Sequence, residues 1–118
     1  GEHFDAQQSE GMKVEEQLHA VFVQSVRSDM TFSEIFHIMN AEIESLGFEN
    51  LDFRGNLGHT IVQDKERRIF IESDNNQMTV GKAGFFTFEP HIRQKKIGRY
   101  GFKREDVYYW HQEQLKML

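Results

Sequence analysis

The sequence contains no cysteine and only one proline, and it has no apolar run near the roughly 20 residues of a membrane-spanning helix. The absence of cysteine excludes disulfides, thiolate metal sites and cysteine nucleophiles together. The chain does not open with a charged segment followed by an apolar stretch, which is the pattern of a secretory signal. These absences favour a cytoplasmic protein with no membrane partner.

The composition is that of a folded domain rather than of a disordered segment. The 118 residues are 38% hydrophobic and include 11 phenylalanines, which is enough for one domain with a packed core. The net charge of −5 argues against a general phosphate-binding surface. A local basic cluster is interpreted as a solvated connection, not as a nucleic-acid site; it comprises Arg93, Lys95, Lys96, Arg99, Lys103 and Arg104.

The first twelve residues are mostly polar, which is typical of a linker or of a truncated end. We therefore predict that the domain comprises residues 13–118 and that the chain is a piece of a longer protein.

Two helices are predicted in the first half of the domain. Residues 13–27 place their apolar side chains at one-face helical spacing: Val14, Leu18, Val21, Phe22 and Val26. A second helix begins at a capping box formed by Thr31 and Glu34, and it ends at Gly47, a typical C′ residue.

Short strands are predicted in the second half. The pattern indicates strands near residues 51–53 and 68–72, a longer one over residues 85–92, and a last strand over residues 102–110. Pro90 cannot donate to a ladder, so it marks a sheet edge or the end of regular pairing. The fold class is therefore α+β, with two amphipathic helices followed by a small, mostly antiparallel sheet.

Three side chains at the edges of these β-segments are candidate metal ligands: His59, Glu89 and Glu105. Imidazole and carboxylates suit divalent Zn, Mn, Co or Fe. Glu89 is the most informative, because a carboxylate within a phenylalanine-rich strand must be paired, protonated or coordinating. The ordinary alternative for this residue is a salt bridge to one of three nearby cations, namely Arg93, Lys103 or Arg104.

The blocks GHTI, FTFEPHI and KREDVYY, in this order, resemble the metal-binding segments of the pita-bread (creatinase-fold) metallopeptidases, the family of aminopeptidase P, prolidase and methionine aminopeptidase. The resemblance implies that His59 and Glu89 each bind one of two adjacent metals and that Glu105 bridges both. It also makes Glu89 the candidate catalytic residue. Two metals about 3.5–4 Å apart can share a hydroxide and polarise the scissile carbonyl of a peptide substrate.

The sequence departs from the family pattern in two ways. The family's other two ligands are Asp residues before the first of these helices, and Asp5 alone matches no such pair. A second, substrate-binding His usually follows the ligand His, but residues 62–72 contain none, and His91 is the nearest spare imidazole. We therefore expect a C-terminal half of the catalytic domain that binds a metal weakly and is inactive alone.

Other readings of the sequence stay open at this stage. A non-catalytic member of the fold could bind peptides or proteins, and the missing second His favours this alternative. An unrelated α+β domain with a salt-bridged Glu89 is a poorer one. Half of a pita-bread domain would leave a sheet edge and apolar surface uncovered, so we also predict a two-fold homodimer.

Overall fold

The computed structural model describes residues 2–76, 78–96 and 101–118. Two α-helices precede the strands, α1 at Glu2–Ser25 and α2 at Phe32–Ser45. The strands, in chain order, are β1 Phe48–Asn50, β2 Phe86–Phe88, β3 His91–Gln94, β4 Phe102–Lys103, β5 Asp106–His111 and β6 Gln114–Met117. Short 3₁₀ turns lie at Lys65–Arg67 and Val80–Lys82. The predicted α+β class, with two helices followed by antiparallel strands, is confirmed.

Helix α1 is confirmed but begins eleven residues earlier than predicted, at Glu2 instead of Lys13. Residues 2–12 therefore lie in this helix rather than in a linker. Glycine is a poor helix former, but close packing explains why a glycine occupies position 11 of this helix. A Cβ atom at Gly11 would lie 2.4 Å from the ring of Phe102, so only glycine lets the helix approach that ring.

Helix α2 begins and ends as its capping residues predict. Thr31 is the N-cap, and its side chain accepts a hydrogen bond of 3.2 Å from the backbone N–H of Glu34. At the other end, Gly47 has a φ of +81°, the left-handed conformation that ends a helix. The local chemistry of the cap residues therefore fixes both ends.

The strands form two three-stranded antiparallel sheets instead of one small sheet. Their orders are β1-β3-β4 and β2-β5-β6. The predicted strand over residues 85–92 is wrong as a single element, because β2 and β3 separate at Glu89 and Pro90 and pair in different sheets. The predicted role of Pro90 in ending regular pairing is confirmed. The last predicted strand is likewise divided, into β4 and β5.

Three further strand predictions need correction. The strand expected near residues 51–53 lies earlier in the chain, as β1 at Phe48–Asn50. Phe53 instead lies in a turn, where its side chain is 99% exposed. Residues 68–72 form no regular strand; only Phe70 makes an isolated bridge, with His59. Strand β6 was not anticipated, because its turn uses Gln112 and Glu113 at positive φ, where glycine or asparagine is the usual signal.

The hydrophobic core lies between helix α1 and the sheet that contains β2 and β5. Phe22 of α1 stacks on Phe88 of β2 with ring centroids 4.1 Å apart, and both side chains are fully buried. Tyr108 of β5 completes this aromatic group. Because β2 is buried on both faces, its end at Glu89 is held firmly in place. Among the described residues, neither helix has the length and apolarity needed to cross a membrane.

Candidate metal and peptidase site

The loop that carries His59 is joined to β2 by close backbone contact. The N–H of His59 donates to Thr87 Oγ1 at 3.0 Å, and the N–H of Thr87 donates to the His59 carbonyl at 2.8 Å. A Cβ atom at Gly58 would lie 2.0 Å from the Thr87 carbonyl oxygen, so this approach requires glycine. Gly58 therefore sets the position of His59 beside β2.

The hydrogen bond of His59 defines its tautomer. Nδ1 lies 2.8 Å from the carbonyl oxygen of Thr60, and a carbonyl can only accept, so Nδ1 carries the proton. The neutral ring then has its lone pair on Nε2. A backbone carbonyl on one ring nitrogen is the usual partner of a histidine whose other nitrogen binds a metal.

Glu89 follows directly after β2, where its backbone N–H donates to the Leu57 carbonyl at 2.7 Å. Its side chain is only 18% exposed, and Oε2 is buried without a partner of ordinary hydrogen-bond geometry. Lys103 Nζ lies 3.7 Å from Oε1. The salt bridge foreseen as the ordinary alternative is therefore present with Lys103, whereas Arg93 pairs with Glu49.

The carboxyl groups of Glu89 and Glu105 influence each other's protonation. Burial is the largest cause that raises the pKa of Glu89 to about 7; the neighbouring Glu105 carboxyl also raises it, and the Lys103 ammonium opposes the shift. The pKa of the exposed Glu105 is lowered, chiefly by its interaction with Glu89. Of the two carboxyl groups, Glu89 is therefore the one that holds a proton more tightly.

A cavity of about 120 Å³ unites most of these groups. Its lining comprises Asp52, Asn56, Gly58, His59, Phe70, Glu89, His91 and Lys103. His91, noted in the sequence as a spare imidazole, lies at this cavity with His59 and Glu89. Asp52 and Asn56 were not anticipated, because they belong to a turn whose polar residues also satisfy its own backbone.

The residues fit a bound cation in part. A mostly buried carboxyl with a raised pKa and an oxygen that lacks a hydrogen-bond partner can bind a cation in place of its proton. In the described part of the chain, however, no group of three or more His, Asp and Glu side chains has a metal-binding arrangement. The structure therefore places His59 and Glu89 on one cavity whose lining does not include Glu105, and the described residues do not assemble a complete three-ligand set.

The fold is that of the pita-bread enzymes. The chain is similar to the prolidase from Pyrococcus horikoshii OT3, with a TM-score of 0.72 and 20% identity over 95% of this chain. It is also similar to the X-Pro aminopeptidase from Thermotoga maritima MSB8 (TM-score 0.71, 16% identity, 92% of this chain) and to the methionine aminopeptidase from Rickettsia prowazekii (TM-score 0.69, 16% identity, 95% of this chain).

The matched chains are much longer than this one. The alignment covers 31% of the prolidase, 30% of the X-Pro aminopeptidase and 52% of the methionine aminopeptidase. At identities of 20% or less, these likenesses establish the architecture alone. The class is thus a pita-bread domain of which the chain supplies a part.

Residues 1–112 match metallopeptidase family M24. The match covers nearly the whole chain, and the chain belongs to this family. No significantly similar sequence is found among curated proteins.

Proposed function

We propose that the chain is part of a metal-dependent aminopeptidase or dipeptidase domain, with an Xaa-Pro peptide as a possible substrate class, and that it contributes His59, Glu89 and Glu105 as metal ligands. The observation that supports this most is the mostly buried Glu89 carboxyl on the cavity that His59 also lines. Divalent Mn, Co, Zn or Fe, when bound, would supply an activated hydroxide and polarise the scissile carbonyl.

The chain's own residues would have distinct roles in this function. His59 would present Nε2 while Thr60 holds Nδ1. Glu89, which loses its proton near neutral pH, would act as ligand and catalytic residue. Lys103 competes with a cation for Glu89, because its ammonium already lies 3.7 Å from Oε1. This competition supports weak binding of a single metal.

We propose that the chain alone is inactive as a peptidase. Two of the family's five ligands are Asp residues for which the sequence offers no matching pair, so half of the carboxylate charge that holds two dications together is missing. Turnover of an Xaa-Pro dipeptide by the 118-residue chain, sensitive to chelator and to Glu89→Gln, would overturn this part of the proposal.

Calorimetric titration of Mn²⁺, Co²⁺ and Zn²⁺ tests the ligand assignment. We expect weak binding near one ion per chain, abolished by Glu89→Gln and by His59→Ala. Glu66→Gln and His111→Ala are matched controls, since both side chains are exposed and lie outside the cavity lining. Equal loss in the controls, or unchanged binding in both site variants, would contradict the assignment.

A second candidate function is a non-catalytic module that binds peptides or proteins. It is favoured by the lack of an assembled three-ligand group among the described residues and by the missing histidine in residues 62–72. Peptide binding that persists in chelator and in Glu89→Gln would support this alternative over the enzyme.

We also propose that the chain forms a homodimer. Beside the site, Ile61 and Phe85 are each 47% exposed and are joined by a backbone hydrogen bond of 2.9 Å, and Val62 is 41% exposed. Contiguous apolar surface of this kind favours association. Sedimentation should show a concentration-dependent dimer that Phe85→Ser weakens and Phe53→Ser does not. A concentration-independent monomer would refute the proposal.

A further inference from the structure

A second cavity lies between helix α1 and the residues at and after strand β4. This α1 cavity has a volume of about 260 Å³. Its lining comprises Met12, Glu15, Glu16, Phe102, Lys103 and Arg104. Helix and strand approach closely here because residue 11 is glycine, which leaves room for the Phe102 ring. Of this lining, only Lys103 also borders the cavity at His59 and Glu89, so the two sites are otherwise separate.

Glu15 lies on this lining as a buried acid. The residue is 3% exposed, and both of its carboxyl oxygens are buried without a hydrogen-bond partner. A buried carboxyl group is costly to the fold unless a partner satisfies it. Burial accordingly raises the pKa of Glu15 to about 8, although the Arg104 guanidinium and backbone amide oppose the shift. The two oxygens are therefore binding groups whose partner the described residues do not supply.

The charges on the lining favour a cation as this partner. Lys103 Nζ lies 3.7 Å from Glu89 Oε1, and Arg104 Nε donates to Asp106 Oδ2 at 2.9 Å. Both cations of the lining are thus paired with carboxylates that lie outside it. The two glutamates of the lining, in contrast, form no salt bridge with any described residue. The charge that lacks a partner in the α1 cavity is therefore that of a carboxylate.

We propose that the α1 cavity binds a small organic cation, a guanidinium or amidinium group on an apolar stem, whose N–H groups pair with the carboxylate of Glu15. Such a planar group presents two parallel donors, which match two carboxylate oxygens that both lack a partner. The stem would pack on Met12 and Phe102, and the face of an aromatic ring attracts a nearby cation. Met12 is unbranched and 57% exposed, so its side chain can move aside to admit the ligand. This site does not depend on the proposed metal function.

Binding of such a cation should release the proton of Glu15. The carboxyl group must ionise to form the pair, whereas in the free chain it keeps its proton below about pH 8. We therefore expect about one proton released per bound ligand at pH 7, and an affinity about tenfold higher at pH 9 than at pH 7. Other ionisable groups near this carboxyl come from α1 and from the residues after β4: Glu16, His19, Lys103, Arg104 and Asp106.

Calorimetric titration with three probes of one shape tests the proposal: benzamidine as the cation, benzamide as the neutral form and benzoate as the anion. We expect benzamidine to bind at least about tenfold more tightly than either of the others at pH 9. Buffers of different ionisation enthalpy measure the proton released at pH 7. Glu15→Gln should weaken benzamidine about tenfold or more and abolish this proton release. Glu10→Gln is the matched control, since Glu10 is exposed on the same helix and lies outside the lining.

Tighter binding of benzoate would overturn the proposal, because the cations of the lining would then select the ligand. Absence of benzamidine binding at pH 9, or binding that Glu15→Gln leaves unchanged, would also overturn it. Proton release is measured on the wild-type chain, so its absence at pH 7 contradicts the pairing with Glu15 even if the variant does not fold.

Two further probes identify the source of the cation once benzamidine binds. Agmatine represents a free guanidinium compound, and an acetylated Ala-Arg-Ala amide represents the arginine side chain of a protein. Tighter binding of agmatine would assign the site to a small molecule, and tighter binding of the peptide would assign it to a protein segment. Both results support the guanidinium class.

Discussion

Lys103 Nζ lies 3.7 Å from Oε1 of Glu89, although the two residues lie in different segments of the chain. The Glu89 carboxyl is mostly buried, and burial together with the neighbouring Glu105 carboxyl raises its pKa to about 7 against this ammonium. The charge of Glu89 is therefore sensitive to pH and to cations.

Substitution of Glu105 should lower the pKa of Glu89. Glu105→Gln removes the like charge and offers an amide donor, and both changes favour ionised Glu89. We expect the pKa of Glu89 to fall below its value of about 7, whereas Lys103→Met should raise it. Carboxyl carbon NMR titration measures both. An unchanged pKa in Glu105→Gln would show that burial alone sets it.

Gly58→Ala should destabilise the domain and displace His59. A Cβ atom at this position would lie 2.0 Å from the Thr87 carbonyl oxygen, so the loop must move away from β2. Overpacking of this kind costs about 3 kcal/mol of the free energy of unfolding. Gly84→Ala is the control, because its φ of +69° carries only the backbone strain of about 1 kcal/mol and the space around it is open.

Urea unfolding measures the two costs, and the amide resonance of His59 reports the displacement. Equal losses in Gly58→Ala and Gly84→Ala, with an unshifted His59 amide, would contradict the close approach.

Glu15 should make stability fall as the pH rises. Burial raises its pKa from 4.5 to about 8, against the opposing Arg104 guanidinium and amide. Because the folded state holds the proton more tightly, this stabilisation is complete below pH 4.5 and is lost as the pH rises through about 8. At pH 8 we expect Glu15→Gln to melt above wild type, each kcal/mol corresponding to roughly 4 °C.

The Tm of wild type and of Glu15→Gln should be compared at each pH. Because both proteins contain Glu89, whose pKa is also raised, the difference in Tm reports the contribution of Glu15 alone. Glu16→Gln is the matched control, since the neighbouring side chain on α1 is exposed. A pH-independent difference for Glu15→Gln would argue against a buried, protonated carboxyl.

Phe22→Ala should remove much of the stability of the core. The ring is fully buried and stacks on Phe88 at 4.1 Å, so truncation leaves a cavity that costs about 4 kcal/mol. Phe53→Ala removes a ring that is 99% exposed and should change stability by less than about 0.5 kcal/mol. Denaturant unfolding of both variants checks the contrast, and similar losses would contradict the placement of the core.

The sequence by itself determined the features that depend on neighbouring residues. Thr31 and Glu34 predicted the start of α2 and Gly47 its end, because capping is chemistry within one turn. Pro90 predicted the end of regular pairing for the equally local reason that it lacks an N–H. The three blocks that contain His59, Glu89 and Glu105 also indicated the family, and the match to it confirms that resemblance. Their role as ligands stays a prediction.

Only the tertiary structure decided which distant residues meet. The periodicity of residues 85–92 does not reveal that β2 and β3 belong to different sheets, because pairing depends on partners far along the chain. The same holds for the cavity that brings His59, Glu89 and Lys103 together, and for the contact between His19 of α1 and the Arg104 carbonyl. Local spacing sets helix ends and faces, whereas packing of distant segments sets the charges and contacts of the site.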